Sequence, residues 1–389
     1  MRGIKTQEAL ADPMANEGGF RVAEVERMAT PTLLIDRERV AQNVAATIRL
    51  LGGDANRWRP HVKTAKLEYT MRMLVESGVL HFKCATTLEL RVACEAGARD
   101  VLVAYPLIGA NANRVREVAQ QHPGVCISVL AESRAQIEQW SQSAIGVFLD
   151  VNPGMNRTGV QQELQDEIVA LCGTISAAQA SFRGLHYYDG HLSKFEFGER
   201  CAHAHKGYDR LMQIVEALSK GGIEVPEVIT AGTPAFPCSL SYQAFGSAPF
   251  VHRISPGTVV YSDATSLQQL PADYGYLPAA VVMTRVVSHP APGMLTCDAG
   301  HKTVSADSGV PTCAVLGHPE LEPLTPSEEH LPMRVTEGHT PEIGELLFLV
   351  PRHVCPTVNN FDDAVIVDGG HAASVERVSA RGRERPIRL

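Results

Sequence analysis

The chain has 389 residues, a formal net charge of -8 at pH 7 and 44% hydrophobic residues. The acidic balance argues against nucleic acid as a partner, because phosphate binding needs a basic face. No apolar run reaches the roughly 20 residues that a membrane span requires, and the first residues lack the apolar core of a signal peptide. The nine cysteines include no C-x-x-C pair, which favours neither a disulfide framework nor a zinc knuckle. We therefore expect a globular protein of the cytoplasm.

Short apolar runs alternate with longer helical patterns through the first two thirds of the chain. Residues 1–29 are polar and predict an N-terminal arm, and TPTLLID at 30–36 predicts a strand that fits either part of the fold. Amphipathic stretches such as 87–96 and 200–220 predict helices. Eight further strand candidates follow the first, at 58–63, 80–85, 101–105, 125–130, 145–151, 182–188, 227–231 and 251–255. Strands that alternate with helices indicate right-handed parallel crossovers.

Eight such strands are the number that closes a (β/α) barrel. A doubly wound open sheet also fits the alternation, but it usually carries a Gly-rich turn after its first strand, and no G-x-G-x-x-G occurs here. From about Leu277 onward, β-type runs are broken by Gly, Pro and Asp turns with little helical pattern between them. The sequence therefore predicts an α/β fold, with a (β/α)8 TIM-type barrel over 30–276 and a C-terminal β domain over 277–389.

A concentration of positive charge, R-P-H-V-K-T-A-K at 59–66, is unexpected in an acidic chain. A solvated turn or a basic patch for an acidic partner would produce such a run. A third interpretation follows from the barrel, because catalytic residues of barrels lie at the C-terminal ends of the strands. Lys63 ends the first barrel strand, where burial and the nearby Lys66 would lower its pKa and make it a Schiff-base nucleophile.

Polar residues also follow the ends of four other candidate strands. Each of these motifs alone fits a turn or a helix cap, but phosphate sites after the seventh and eighth strands recur in barrels. Together with Lys63 they predict a site at one barrel mouth that contains an arginine, an aromatic wall and residues that bind a phosphate. In chain order the residues are Arg157, then His186, Tyr188 and His191, then Gly232 and Thr233, and finally Gly257 and Tyr261.

Seven motifs in this order resemble the D-threonine aldolase/D-serine dehydratase family. They are R-P-H-V-K-T, F-K-C-A-T, G-M-N-R-T-G, Y-D-G-H, A-G-T-P, S-P-G-T-V-V-Y and H-V-C-P-T. Members of the family are fold-type III pyridoxal-phosphate (PLP) enzymes related to alanine racemase, and the similarity extends from about residue 30 to 381. The resemblance implies an alanine-racemase-like barrel, a C-terminal β domain, pyridoxal 5'-phosphate as cofactor and a homodimer.

Residue by residue, the resemblance implies that Lys63 forms the Schiff base with PLP. It gives Arg59, His61 and Lys66 the role of an electrostatic and hydrogen-bonding setting for that lysine. The other cofactor residues that it implies are Arg157 near the phenolic oxygen, Tyr188 in the pocket, and Gly232, Thr233, Gly257 and Tyr261 at the phosphate. A departure from the family is Ala65, where many relatives have His.

His353 and Cys355 follow the strand pattern ELLFLV, in P-R-H-V-C-P-T. On an extended segment these two side chains would face the same way and could hold a divalent ion, whereas the alternative is a turn histidine beside a buried thiol. In the family this position is a divalent-metal site, with H-x-D in many aldolases and H-x-C in D-serine dehydratases. A thiolate favours Zn²⁺, with Mn²⁺ or Mg²⁺ as the alternatives.

The resemblance implies a PLP- and metal-dependent lyase that acts on small 3-hydroxy-D-amino acids. We expect retro-aldol cleavage of the D-threonine-aldolase type, to glycine and an aldehyde. Dehydration of D-serine or 3-hydroxyaspartate to a keto acid and ammonia is the alternative, which Cys355 supports. Two further alternatives are less well supported. An amino-acid racemase would need no metal, and a non-catalytic PLP carrier would be a bare barrel without the predicted C-terminal domain.

Overall fold

A computed structural model describes residues 20–386 of the chain. Its strands are β1 Thr32–Asp36, β2 His81–Cys84, β3 Asp100–Pro106, β4 Cys126–Ala131, β5 Gly146–Asn152, β6 Val160–Gln161, β7 Ser181–Tyr187, β8 Glu227–Thr230, β9 Val251–Ile254, β10 Ala280–Ser288, β11 Met294–Cys297, β12 Cys313–Val315, β13 Leu321–Pro323, β14 Leu331–Val335, β15 Leu346–Pro351, β16 Asp363–Asp368 and β17 His371–Arg377. Its α-helices are α1 Arg37–Leu50, α2 Glu68–Glu76, α3 Thr87–Glu95, α4 Ala110–Gln121, α5 Arg134–Glu138, α6 Gln165–Ala177, α7 Phe197–Lys220, α8 Phe236–Leu240, α9 Ala264–Gln269 and α10 Val354–Asn359. Within residues 20–386, none of the helices has both the length and the apolar character that a membrane crossing demands.

The chain forms two compact units, each assembled from separate segments. The barrel unit consists of Ile48–Lys63, Met71–Gly257 and the segment that starts at Arg383. The β unit consists of the segment that ends at Thr47, together with Thr64–Thr70 and Thr258–Gly382. The sequential division into 1–29, 30–276 and 277–389 stays a prediction, and most of the predicted N-terminal arm lies outside the described residues.

The barrel unit is built on a parallel sheet in the order β2-β3-β4-β5-β7-β8-β9, with the short β6 beside β5. Residues 58–61 close this sheet on itself, because Trp58 bridges to Ile254 in β9 and His61 bridges to Lys83 in β2, both in parallel. Seven strands and this bridging segment make eight positions, which confirms the predicted (β/α)8 barrel. The predicted first strand is shorter than expected, since a turn begins at Val62.

Helices between the barrel strands begin where the sequence carries capping residues. The N-cap of α3 is Thr86, whose hydroxyl accepts the Glu89 N–H at 3.0 Å, while the Glu89 carboxylate accepts the Ala85 N–H at 2.7 Å. These contacts fix the turn between β2 and α3. The long helix α7 buries Tyr208 and Leu211 in the apolar cluster that includes strand residues of β5, β7 and β8.

The amino ends of the barrel strands enclose a buried network of charges. Arg59 is 0% exposed and contacts Asp100, the first residue of β3, at 2.8 Å and Glu227, the first residue of β8, at 2.9 Å. Arg183 and Arg253 also bind these carboxylates. Burial opposes the ionisation of Asp100, but the His81 ring, 3.6 Å away, and the Arg59 charge hold its pKa well below the usual range. Arg59 is therefore part of this network, and the expectation that it forms the setting of Lys63 is wrong.

The β unit contains a mostly antiparallel sheet in the order β13-β14-β11-β10-β1-β16-β17, and β15 pairs with both β10 and β12. Strand β1 runs antiparallel to β10 and parallel to β16. The TPTLLID segment, which the sequence pattern left open, therefore belongs to this unit. The β-type runs expected after Leu277 form β10, β11, β15 and β16.

Candidate active site

The carboxyl ends of the barrel strands carry six of the predicted site residues. The strands are parallel, so the loops that follow them lie at one mouth of the barrel. All six lie in the barrel unit, after residues 58–61, β5, β7, β8 and β9. They are Lys63, Arg157, Tyr188, Gly232, Thr233 and Gly257.

The aromatic ring of Tyr188 is enclosed by two glycines and an arginine. The guanidinium carbon of Arg157 lies 4.8 Å from the ring centroid, within the range of a cation–π contact. A Cβ atom at Gly190 would lie 2.5 Å from the ring, and one at Gly232 would lie 2.9 Å from it. Larger residues at these positions would displace the ring, so the two glycines fix its place in the mouth.

Lys63 is half-buried in the turn that follows the closing segment of the barrel. Its backbone N–H donates to Nδ1 of His61 at 3.2 Å, which ties the imidazole to this turn. Gly257 packs against the same turn, because a Cβ atom there would lie 2.4 Å from the His61 carbonyl oxygen. The loop after β9 thus lies directly against the backbone that presents Lys63.

A second lysine occupies the mouth, and the sequence patterns did not single it out. Lys83, in β2, is 3% exposed, and its Nζ lies 5.5 Å from the centroid of the Tyr188 ring. Burial, with the charges of Lys63 and Arg157, lowers the pKa of Lys83 to about 7. The only available signal was its place in F-K-C-A-T, where a lysine in an otherwise apolar strand points to one buried polar side chain.

Lys83 contacts a buried histidine that a carboxylate orients. Its Nζ lies 3.4 Å from Nε2 of His186, and Nδ1 of His186 lies 2.7 Å from Oδ1 of Asp150. Burial and the charge of Lys83 lower the pKa of His186, so the imidazole is neutral and donates Nδ1–H to Asp150. Nε2 is then the acceptor for the Lys83 amine. Thr158 donates its hydroxyl to the other Asp150 oxygen at 2.7 Å.

The turn after β8 carries the predicted phosphate residues Gly232 and Thr233. The Gly232 carbonyl accepts the N–H groups of Ala235 and Phe236, which fixes the turn against the start of α8. Asp189 is buried nearby and accepts the Tyr208 hydroxyl at 2.6 Å. Burial raises the pKa of Asp189 to about 6, against the opposing hydrogen bonds from Tyr208 and the Gly232 backbone.

Tyr261 and Lys66 belong to the β unit. The Tyr261 hydroxyl is buried, donates to the Ala65 carbonyl at 2.9 Å and lies 2.8 Å from the Thr70 hydroxyl. The Lys66 amine donates to the Ala380 carbonyl at 3.2 Å. Both side chains therefore make contacts that hold the β unit together, and their roles toward a cofactor stay predictions.

His353 and Cys355 do not lie on an extended segment, so that part of the prediction is wrong. Strand β15 ends at Pro351, His353 is the N-cap of α10, and Cys355 is in the first turn of that helix. Pro356 lies in the same turn. The N–H groups of a first turn have no acceptor within the helix, so a proline there is compatible with the helix. The N–H of Val354 is satisfied by Asp263 at 3.0 Å.

The helical start nevertheless brings His353 and Cys355 into contact. Nδ1 of His353 lies 2.7 Å from Asp307, and the Cys355 sulfur lies 3.0 Å from the Thr64 hydroxyl. Burial opposes the charge of His353, but the hydrogen bond and charge of Cys355 together with Asp307 raise its pKa to about 9. Residues 20–386 contain no cluster of three or more His, Cys, Asp or Glu side chains arranged to hold a metal ion.

The chain is similar to known proteins over nearly its whole length. It is 28% identical to the D-threonine aldolase of an Arthrobacter species, over 92% of this chain and 94% of that protein. It is 27% identical to the 3-hydroxy-D-aspartate aldolase of Paracoccus denitrificans (strain Pd 1222), over 91% and 92%. The crystal structure of D-threonine aldolase from Filomicrobium marinum matches with a TM-score of 0.83 and 28% identity, covering 94% of this chain and 98% of that one.

Two family models also match the chain. The model described as "Putative serine dehydratase domain" matches residues 279–367, and the model described as "Alanine racemase, N-terminal domain" matches residues 35–264, more than half of the chain. These matches confirm the resemblance that the motifs indicate, and with the closed parallel sheet they confirm the alanine-racemase-like fold. The chain belongs to the family of the alanine racemase N-terminal domain.

Proposed function

We propose that this protein is a PLP-dependent lyase that cleaves small 3-hydroxy-D-amino acids by a retro-aldol reaction, giving glycine and an aldehyde. The observation that carries the proposal is the barrel mouth, where an amine at the end of the first barrel segment shares a cationic site with Arg157 and the ring of Tyr188. The aldolases that the chain resembles over nine tenths of its length support the reaction type.

The residues of the mouth fit an anionic, planar cofactor. Three cations, Lys63, Lys83 and Arg157, face two carboxylates there, Asp150 and Asp189, and a phosphate and a phenolic oxygen would offset the remaining positive charge. Gly232 leaves room beside the Tyr188 ring that a Cβ atom would fill. We propose that Lys63 binds PLP covalently and that Arg157 contacts its phenolic oxygen. The phosphate would be held by Gly232, Thr233, Gly257 and Tyr261.

When bound, PLP supplies an electron sink for negative charge at the substrate Cα. The residues of the chain would bind and orient the cofactor and the substrate and shield them from solvent. Lys63 is presented from a turn that Gly257 packs against, which limits its motion. The Tyr188 ring, held by Arg157 and two glycines, forms an aromatic wall with a flat face for a planar group.

We propose that His353 and Cys355 bind a divalent ion, with Zn²⁺ as the favoured metal and Mn²⁺ or Mg²⁺ as alternatives. An imidazole and a thiol in contact are a donor pair that suits Zn²⁺. Asp307 holds Nδ1 of His353, which leaves Nε2 for the metal, an arrangement in which a carboxylate orients a metal-binding histidine. Such an ion would bind the substrate hydroxyl as a Lewis acid.

A second candidate function is the dehydration of D-serine or a 3-hydroxyaspartate, giving a keto acid and ammonia. The match of residues 279–367 to a serine dehydratase model favours it, because this part of the chain contains Cys355. In both reactions a proton moves between the substrate hydroxyl and Cα. We further propose, on the family resemblance, that the protein acts as a homodimer in the cytoplasm.

Product analysis with paired substrates tests this proposal. Enzyme loaded with PLP and Zn²⁺ is incubated with D-threonine, D-serine and 3-hydroxy-D-aspartate, and each reaction is assayed for glycine, aldehyde, keto acid and ammonia. We expect glycine and acetaldehyde from D-threonine. The L enantiomer should react roughly a hundredfold more slowly, which corresponds to about 2.7 kcal/mol in the barrier. Keto acid and ammonia as the main products would establish the dehydratase, and turnover of none of these substrates would reject the proposed function.

A further inference from the structure

Lys83 is a buried lysine whose amine contacts an imidazole where a carboxylate would be expected. It is 3% exposed, and its Nζ lies 3.4 Å from Nε2 of His186. Removal of a cation from water without a direct ionic partner is costly, and a buried lysine of this kind in a cleft is a candidate for a functional role. Its place in the barrel mouth connects that role to the candidate active site.

The contacts of Lys83 fix the direction of its amine. Asp150 accepts Nδ1–H of His186 at 2.7 Å and thereby turns Nε2 toward Lys83. One N–H of the lysine is donated to that nitrogen. The remaining positions on Nζ point away from His186, and the Tyr188 ring, 5.5 Å away, is a wall of the proposed cofactor pocket.

We propose that Lys83 is a second catalytic lysine of this site, whose amine, held by His186 and Asp150, carries the proton that a 3-hydroxy-amino acid must move between its β-oxygen and Cα. This inference rests on the proposed function and deepens it. Lys63 is then committed to the cofactor, and Lys83 is the acid–base group that acts on the substrate.

The proton balance of the retro-aldol reaction needs only one such group. Neutral Lys83 takes the proton from the β-hydroxyl, so the O–H bond breaks and the oxygen becomes the carbonyl oxygen of the aldehyde. The electron pair of the broken Cα–Cβ bond stays with Cα. Protonated Lys83 then returns the same proton to Cα, which forms the new C–H bond of glycine. The amine ends in its starting state, and no external acid, base or oxidant is consumed.

The charged groups around Lys83 favour an amine that can both accept and release a proton near neutral pH. Burial disfavours its protonated form most, and the charges of Lys63 and Arg157 act in the same direction. Asp150 and Asp189 favour the protonated form, and His186 is neutral. A general acid–base group works best when its pKa lies near the operating pH, and the balance of these groups meets that condition.

Substitution of Lys83 tests the inference, with Lys220→Met as the matched control because Lys220 is exposed on α7 and ion-paired with Glu216. We expect Lys83→Met to lose roughly 10²- to 10⁴-fold in kcat, the range for removal of a general acid–base group, and Lys220→Met to keep the wild-type rate. Both variants should retain the borohydride-reducible label on Lys63. In Lys83→Ala, small primary amines should restore turnover in proportion to their basicity, a response that a purely structural lysine would not produce.

A readout independent of turnover is the titration of the Lys83 amine in the cofactor-free protein. Carbon-13 NMR of ε-labelled lysine, assigned by the signal lost in Lys83→Arg, should show one midpoint near pH 7 among ordinary lysines near 10. A midpoint above 9, or a Lys83→Met rate within threefold of the wild type, would overturn the role of Lys83 while leaving the proposed lyase intact. A wild-type enzyme that turns over no 3-hydroxy-D-amino acid would overturn both.

Discussion

At the amino end of the barrel strands the buried Arg59 contacts carboxylates, whereas at the carboxyl end the buried Lys83 contacts an imidazole and an aromatic ring. Arg59 binds Asp100 and Glu227 at 2.8 and 2.9 Å, and Arg183 and Arg253 pair with the same carboxylates. In the mouth, Lys83 is held by His186 and Arg157 lies over Tyr188. The same barrel thus contains one cluster whose cations are paired with carboxylates of the chain and one that fits an added anion.

The pKa shifts of two carboxyl groups express the same difference. The nearby His81 and the ion pair with Arg59 outweigh burial and lower the pKa of Asp100, so its ionised form stabilises the fold. Burial outweighs the hydrogen bonds to Asp189 and raises its pKa to about 6, so its ionised form destabilises the fold. The ionised carboxylate at the amino end therefore stabilises the fold, whereas the ionised carboxylate in the mouth does not.

The largest effect should come from the mouth. Lys63→Ala removes the proposed covalent attachment of the cofactor, and we expect turnover of D-threonine to fall by roughly 10⁴-fold or more, as for loss of a catalytic nucleophile. Lys220→Ala, at an exposed lysine, is the control. A Lys63→Ala variant whose turnover stays within tenfold of the wild type would show that the barrel mouth is not the active site.

At the opposite end the expected effect is on stability. Arg59→Met leaves Asp100 and Glu227 without their central partner, and breaking a buried pair in this way costs about 3–5 kcal/mol in the free energy of unfolding. Urea denaturation measures the loss, and Arg134→Met, in an exposed pair with Glu138, should change stability by less than about 1 kcal/mol. A large loss of turnover per folded Arg59→Met molecule would contradict the division between the two ends.

In the β unit, removal of the proposed metal should reduce turnover and leave the cofactor in place. Cys355→Ala should lose its bound Zn²⁺ and roughly a hundredfold in kcat, because the Lewis acid on the substrate hydroxyl is gone. Cys94→Ala is a matched control, since both thiols are 7% exposed. Metal analysis beside turnover checks this, and a Cys355→Ala enzyme with full metal content would exclude the sulfur as a ligand.

The smallest expected effect is a difference in how Asp189 and Asp100 make stability depend on pH. The folded-state pKa of Asp189 lies above its unfolded value of about 3.9, so the penalty is absent at low pH and grows as pH rises through about 6. Between pH 5 and pH 8 the free energy of unfolding of Asp189→Asn should therefore rise by about 1–3 kcal/mol relative to the wild type. The altered contact with Tyr208 lowers it by an amount that does not depend on pH. For Asp100 the sign is reversed, and its contribution is lost as pH falls below about 4. Urea unfolding at several pH values measures both, and a flat difference for Asp189→Asn would contradict the raised pKa.

The barrel could be predicted from the sequence because its signals are local. Apolar runs of strand length alternate with helical patterns, and each structured run lies within a few residues of its predicted place. The position of Lys63 after the first barrel segment could be predicted from the strand-end rule, and its role stays a prediction. The ordered motifs then indicated the family, which the comparisons confirm.

Other features depend on contacts that no local pattern contains. Arg59 stands four residues before Lys63, yet its partners are 41 and 168 residues away in the chain. The pairing of Lys83 with His186 likewise spans 103 residues. The helical start at His353 had a local signal in Pro356, since a proline in the first turn is compatible with a helix.

The division of roles between Lys63 and Lys83 is tested most directly by identifying the lysine that binds the cofactor. PLP-loaded protein is reduced with borohydride, digested, and mapped by mass spectrometry. We expect the reduced cofactor on Lys63, and no label on Lys83 or Lys66. A label on Lys83, or the absence of any covalently bound cofactor, would contradict this division of roles.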